Sequence, residues 1–494
     1  MLKNKKRYYL VILMILYLIL GVIVITHRFG LDTDMLWHIK IGNDIISNQS
    51  VSIDNNYTWL SGSTWNQQEW LYDVIISTLV KYLGVWGYYM PYGLGCILLF
   101  YLSYTLSKPK NIFIHVIIFS IVMACVPLNV MNRPAEYSAF IFILFMWLYY
   151  KRGKRYHLLY MLAGIFIGNF HCGMGIILTA FFVMQIILDI ILSFCNKNTQ
   201  VKNDIKYSGL KVLDLLLFIV GMCINPFGFN QIINMIKAIG IQSNQFINEW
   251  KALSIDNLGY ILLLMFLVGA LIYNIKCWNK IDIFKIVCIL AVFALMCKSQ
   301  KSSIIFVYLY VCFGYKYVEQ FIFDTADYAY KGDKWKICKV KINKGICVGV
   351  TLCVFIISGF ILNQQMDYNF NNYVDNMRRG GISDNMIMYL KERDVKLLNG
   401  YDTGNYLLWN DIKVFVDTRQ HPYVKEFGEL TAVDDMIDMS NTKNKRVMDA
   451  YFDKYDFDTV LSDKISFDVD WYMQQRTDFK RLGGTNWTSF WVKI

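Results

Sequence analysis

Two strings near the start of the chain carry residue types that chemistry needs: Leu31-Asp-Thr-Asp-Met-Leu-Trp-His-Ile39 and Gln68-Glu-Trp-Leu-Tyr-Asp73. Ionisable groups beside hydrocarbon are expensive to hold and tend to mark reaction sites. Asp34 and His38 stand four residues apart and share one helical face, where a carboxylate can orient an imidazole or keep it charged. The competing reading is a solvated helix face with Asp32 as its cap. Glu69 and Asp73 are also one turn apart. Like charges at that spacing cost a few tenths of a kcal/mol unless a cation, a basic side chain or a proton lies between them. A divalent ion such as Mg or Mn on Asp32, Asp34 and Glu69 would serve, as would the headgroup of a lipid-linked substrate; otherwise the acids are simply hydrated. Trp37, Trp59, Trp65 and Trp70 are either interfacial anchors or platforms for a sugar ring.

The elements that must position these residues are membrane helices. The chain has 494 residues, 55% of them hydrophobic, 16% aromatic and only 18% charged, which is too apolar for soluble domains of this size. Apolar stretches recur near 8–26, 88–107, 111–128, 136–150, 157–170, 174–194, 209–225, 257–276, 283–297, 302–320 and 344–363, each long enough to approach a bilayer crossing as a helix. The net charge of +11 belongs to alternate connectors, among them Lys108 and Lys110, Lys151 to Arg155, and Lys331 to Lys344. That distribution reads as cytoplasmic loops and argues against nucleic acid. A basic start followed by the first apolar run reads as a retained signal anchor with a cytoplasmic N-terminus. Eleven crossings then place the loop 27–87 and the tail 364–494 outside the cytoplasm, in the cell membrane of a bacterium with an AT-rich genome. Residues 34–47 and 69–84 read as helices lying at the interface. The expected architecture is an α-helical polytopic membrane protein, with residues 1–363 as the transmembrane module and 364–494 as a small extracytoplasmic α/β domain. In the tail, Asp384 to Arg393 reads as helix, Tyr406–Trp409, Val414–Asp417 and Thr459–Leu461 as strands, and Phe479 to Val492 as a hairpin.

Polar groups gather at the expected outer ends of the spans: Asn132-Arg-Pro-Ala-Glu136, Gly168 to Gly173, Asn225-Pro-Phe-Gly228, Asn248-Glu-Trp250 and Lys298 to Lys301. An anionic lipid phosphate needs fixed cations, and Arg133, His171, Lys298 and Lys301 are the available ones. No P-loop, Rossmann fingerprint, nucleophile elbow or zinc motif is present in the sequence. Most of the twelve cysteines lie inside apolar runs and read as packing residues.

Read together, Asp32-Thr-Asp-Met-Leu-Trp-His38, Gly42, Asp54, Glu69-Trp-Leu71, Arg133-Pro134, Asn169 to Gly173, Asn225 to Gly228 and Glu249-Trp250 resemble the strings of a group of bacterial polytopic proteins. That group is related in layout to the GT-C glycosyltransferases, which use lipid-phosphosugar donors. In the tail, Gly404-Asn-Tyr-Leu-Leu-Trp409 and Val414-Phe-Val-Asp-Thr-Arg419 look like the group's Gly-Gly-Tyr-Leu-x-Trp and Val-Phe-x-Asp-Gly-Arg strings. Thr418 and Asn405 replace glycines and Cys172 interrupts the histidine string, all outside the first-loop acids. The resemblance implies a GT-C-like module whose first-loop acids face a polyprenyl-phosphate sugar donor.

The expected function is transfer of a sugar from that donor to an extracytoplasmic glycan, lipid or protein. Asp34 would take the acceptor proton, and Asp32 and Glu69 would position the acceptor or a divalent ion. His38, Trp37, Arg133, His171, Glu249, Lys298 and Lys301 would bind substrate, with no soluble cofactor. The alternatives are a lipid-linked glycan flippase or transporter, for which ionisable residues at mid-span are scarce, and a non-catalytic envelope assembly protein. Asp417 and Arg419 read as a strand-end salt bridge.

Overall fold

A computed structural model describes residues 34–51, 55–110, 133–152, 157–195, 201–246, 250–252, 283–321, 381–464 and 467–494, with single positions at 115, 118, 119, 122, 264, 265, 267 and 268. Asp32, Asp54 and Glu249 lie outside the described residues, as do the expected spans at 8–26 and 344–363.

The first described helix, α1 (Asp34–Asn48), is amphipathic as its spacing predicts, burying Met35, Leu36, Trp37, His38, Ile39, Ile41 and Ile45. It packs on α2 (Trp70–Leu83). Gly84, at φ 57°, ends α2 and leads into α3 (Val85–Ser107). Then come α4 (Pro134–Arg152), α5 (His157–Phe170), α6 (Cys172–Cys195), α7 (Val201–Met222), the short α8 (Asn230–Ile239), α9 (Ile283–Lys298) and α10 (Ser303–Leu309). A π turn at Tyr310–Gly314 carries the last helix on through residue 321. Proline at the first position of α4 is favourable, since the N–H it lacks would have no helical partner there. Among the described residues, the helices Val85–Ser107 and Cys172–Ile191 are long and apolar enough to cross a membrane.

The tail is a four-stranded sheet with helices. Strands β1 (Leu397–Asn399), β2 (Thr459–Asp463), β3 (Phe479–Gly484) and β4 (Thr488–Lys493) lie in the order β1-β2-β4-β3. The β3–β4 hairpin forms as expected, with an irregularity between Arg481 and Gly483, and β4 pairs antiparallel with β2. β1 and β2 are parallel, a pairing that demands a long crossover. The crossover contains α11 (Tyr401–Trp409), α12 (Ala432–Asn441) and α13 (Lys445–Tyr455). Two expected strands are therefore corrected. Tyr406–Trp409 is the end of α11, and Val414–Asp417 is irregular, with a bend at Phe415 and an isolated bridge from Val414 to Thr58 of the first loop.

The tail and the helical part share one interior. Ile382, Leu390, Leu397 and Phe490 join the core built by the helices, while Leu408 packs with Trp37, Ile41, Ile45 and Trp65. The underside of the tail thus covers α1.

Candidate active site

Helix α1 crosses α2 at Gly42, where a Cβ would come 2.0 Å from the Asp73 carbonyl oxygen. This close approach brings His38, one turn earlier, onto Asp73: Nδ1 and Oδ1 share a hydrogen bond of 2.5 Å, with both side chains buried. The basic partner that the Glu69 and Asp73 spacing demands is thus an imidazole. Burial holds the Asp73 carboxyl well above the ordinary carboxylate range, with Glu69 adding to the rise, and holds His38 well below the ordinary imidazole value, with Arg133 and His171 contributing. The pair is therefore most stable with no net charge.

Glu69, just before α2, sits between two rings: Oε2 is 3.9 Å from His38 Nε2 and Oε1 is 3.5 Å from His171 Nε2. The Met174 N–H donates to His171 Nδ1, which places the ring's proton on Nε2, facing Glu69. Burial pushes the Glu69 carboxyl up to about 7, against the opposing Lys301 ammonium; Asp34 adds to the rise and Arg133 resists it. Burial and then Lys301 lower His171 to about 3, so its ring is neutral.

Asp34 opens α1 and is engaged on both oxygens. Oδ2 lies 3.1 Å from Arg133 Nη2, and Oδ1 accepts from the Thr418 hydroxyl at 2.5 Å and from Asn405 Nδ2 at 3.4 Å. Asn405 and Thr418 also bond each other. Both are departures from the glycines of the family strings, and they bear directly on the first-loop acid from which the sequence separates them. Gly404 permits this placement, since a Cβ there would lie 2.1 Å from the Val416 carbonyl oxygen.

Asp417 and Arg419 form a wholly buried bidentate pair, Nε to Oδ1 at 2.8 Å and Nη2 to Oδ2 at 2.5 Å. Arg419 also donates to Asn55 Oδ1 and to the Tyr423 hydroxyl, and its guanidinium lies against Tyr57 and Trp65. The expected salt bridge forms, though buried and outside any strand, and through Asn55 its Arg419 also ties the tail to the first loop.

Many of these groups line one cavity of about 220 Å³. Asp34, Trp37, His38, Glu69, Arg133, His171 and Lys301 all line it, so seven of the expected site residues converge. Lys298 does not: it is exposed at the end of α9, and the turn Gln300–Ser302 carries Lys301 inward instead, its ammonium 5.0 Å from the Trp250 ring centre. Sequence reasoning does not single out Gln68, Tyr401, Asp402, Gln420 or His421, which complete the wall. The local signal available for the tail was the Val414 to Arg419 string.

Among the described residues no three metal-binding side chains converge. Asp34 faces a guanidinium and a hydroxyl, and His171 presents its N–H rather than a lone pair. The described residues do not by themselves form a divalent-ion site.

No family model matches the sequence, and no curated protein matches it. Solved structures do match. The chain shares the fold of an archaeal oligosaccharyltransferase. The Archaeoglobus fulgidus enzyme tethered by a disulfide to an acceptor peptide with the NVT sequon superposes with a TM-score of 0.57 at 12% identity, covering 99% of this chain and 74% of that one. The same archaeon's AglB, in complex with an inhibitory peptide and a dolichol-phosphate, gives 0.57 at 11% identity, over 93% and 70% of the two chains. A complex of the A. fulgidus enzyme with Zn and sulfate gives 0.52 at 13% identity, over 92% and 68%. At 11–13% identity the likeness is one of fold.

Proposed function

We propose that the chain is an integral-membrane glycosyltransferase that moves a sugar from a polyprenyl-phosphate-linked donor to an acceptor on the extracytoplasmic side, with residues 1–363 as the membrane module and 364–494 as the extracytoplasmic domain. The observation that carries this reading is the convergence of Asp34, Glu69, Arg133 and Lys301 on one cavity in a fold shared with an oligosaccharyltransferase. The solved relatives, with an acceptor peptide in one and a dolichol-phosphate in another, support a lipid-linked donor and a peptide among the candidate acceptors.

The acceptor's nucleophilic atom attacks the anomeric carbon, its proton passes to a carboxylate, and the bond from that carbon to the phosphate oxygen breaks, releasing the lipid phosphate. Between Asp34 and Glu69, Glu69 suits the proton better, because a carboxyl near 7 matches a neutral working pH whereas Asp34 is engaged on both oxygens. Asp34 orients Arg133. Arg133 and Lys301 then face the charge that develops on the departing phosphate, and no carboxylate among the described residues pairs with Lys301.

The test uses membranes containing the full chain and a labelled polyprenyl-phosphate sugar. Transfer is expected in the wild type. Asp34→Asn should abolish it with insertion and abundance unchanged, and Glu69→Gln should lower it by about 10² to 10⁴, the usual worth of a general base. Movement of intact donor across the membrane without bond cleavage would instead make the chain a transporter.

A further inference from the structure

Between Arg419 and His421 the backbone makes a turn that glutamine rarely accepts. The His421 N–H donates to the Arg419 carbonyl oxygen at 2.6 Å, with Gln420 between them at φ 56° and ψ −55°. This is the strained, positive-φ form of the γ-turn, and such strain persists where the surroundings impose it, often at binding sites. Glycine would adopt it with less strain. The glutamine side chain does not repay the strain with a bond inside the protein: its Nε2 is buried and has no hydrogen-bond partner. Trp37 Nε1 is likewise buried and unpartnered. Both residues are only 6% exposed and line the same cavity. Buried donors left without acceptors are uncommon and call for an explanation such as an absent ligand.

We propose that the Gln420 carboxamide, together with the Trp37 indole N–H from the same cavity wall, binds hydroxyl oxygens of the donor's sugar ring and so helps select the sugar. This rests on the proposed transferase reading and assigns one part of its site. The division of labour follows from charge. Arg133 and Lys301 carry the charge that a phosphate requires, whereas a neutral carboxamide and an indole N–H suit a neutral polyol. The γ-turn fixes the amide where a relaxed loop would leave it free to find another partner.

Gln420→Ala removes the amide and keeps the unusual backbone; Gln420→Gly removes the amide and relieves the backbone. In the full chain without ligand, the thermal midpoint of Gln420→Gly should equal or exceed that of the wild type. With a polyprenyl-phosphate sugar, both variants should show at least a tenfold higher KM, or a correspondingly weaker ligand-induced thermal shift. Polyprenyl phosphate without a sugar should bind wild type and variants within about twofold. A midpoint lowered by several degrees in Gln420→Gly would make the residue structural and overturn the proposal. Equal weakening toward sugar-bearing and sugar-free lipid would overturn it too, by placing the amide on the phosphate. A wild type that binds the donor and discriminates against the Gln420 variants, yet transfers nothing, would uphold this inference and sink the transferase reading.

Discussion

In the proposed transfer Glu69 is the base, so its titration should bear on both rate and stability. As a base it must be ionised, so transfer at limiting donor should rise with pH through about 7. A limb near the ordinary value of 4.5 would show that the buried setting does not operate. The stability sign is opposite. The folded state holds the Glu69 proton more tightly than the unfolded chain does, so between about 4.5 and 7 each increase in pH costs stability. Glu69→Gln should reduce that slope, leaving the part that Asp73 contributes, and raise the thermal midpoint above pH 7 even as it lowers activity. Asp417→Ala works the other way: it strands the Arg419 guanidinium inside the protein, and breaking one side of a buried pair costs roughly 3–5 kcal/mol, readable as a lower thermal midpoint. At this scale the sequence was partly legible. The like-charge spacing of Glu69 and Asp73 announced a missing partner. It did not announce His38, because which imidazole arrives depends on how two helices cross.

That crossing is an element-scale matter, and Gly42 sets it. Gly42→Ala would force α1 off α2, separating His38 from Asp73 in a tightly packed contact. Overpacking of this kind costs about 1–3 kcal/mol, and transfer should fall with it; a variant of wild-type stability and rate would show that the contact yields easily. Elements with a strong period were readable: α1, α2, α5 and the terminal hairpin lie where the apolar spacing put them. Tyr406–Trp409 was not, because its aromatic content favours a strand while its fold is decided elsewhere, by Gly404 seating a helix against the Val416 backbone. Val414–Asp417 has strand composition, but among the described residues Val414 makes an isolated bridge to Thr58 and the chain bends at Phe415, so the segment does not join the sheet.

For the whole molecule, the distinctive fact is that the cavity is closed by residues from both ends of the chain. Thr418→Val keeps the side chain's shape and removes the hydroxyl that Asp34 accepts from. A hydrogen bond to a charged group contributes about 1.5–3 kcal/mol, so transfer should drop roughly tenfold or more while the tail stays folded. An unchanged rate would confine the tail to a covering role. No local pattern could reveal this seam, since Asp34 and Thr418 are 384 positions apart and each string looks complete by itself. The Thr58 hydroxyl, which donates to the Val414 carbonyl oxygen across a separation of 356 residues, also orders events during synthesis. At about 5–20 residues per second, the ribosome needs on the order of tens of seconds between making the two sides. Throughout that interval Asp34 stands without the Thr418 hydroxyl, and the cavity wall is completed only once the tail has been made, after the helices that precede it.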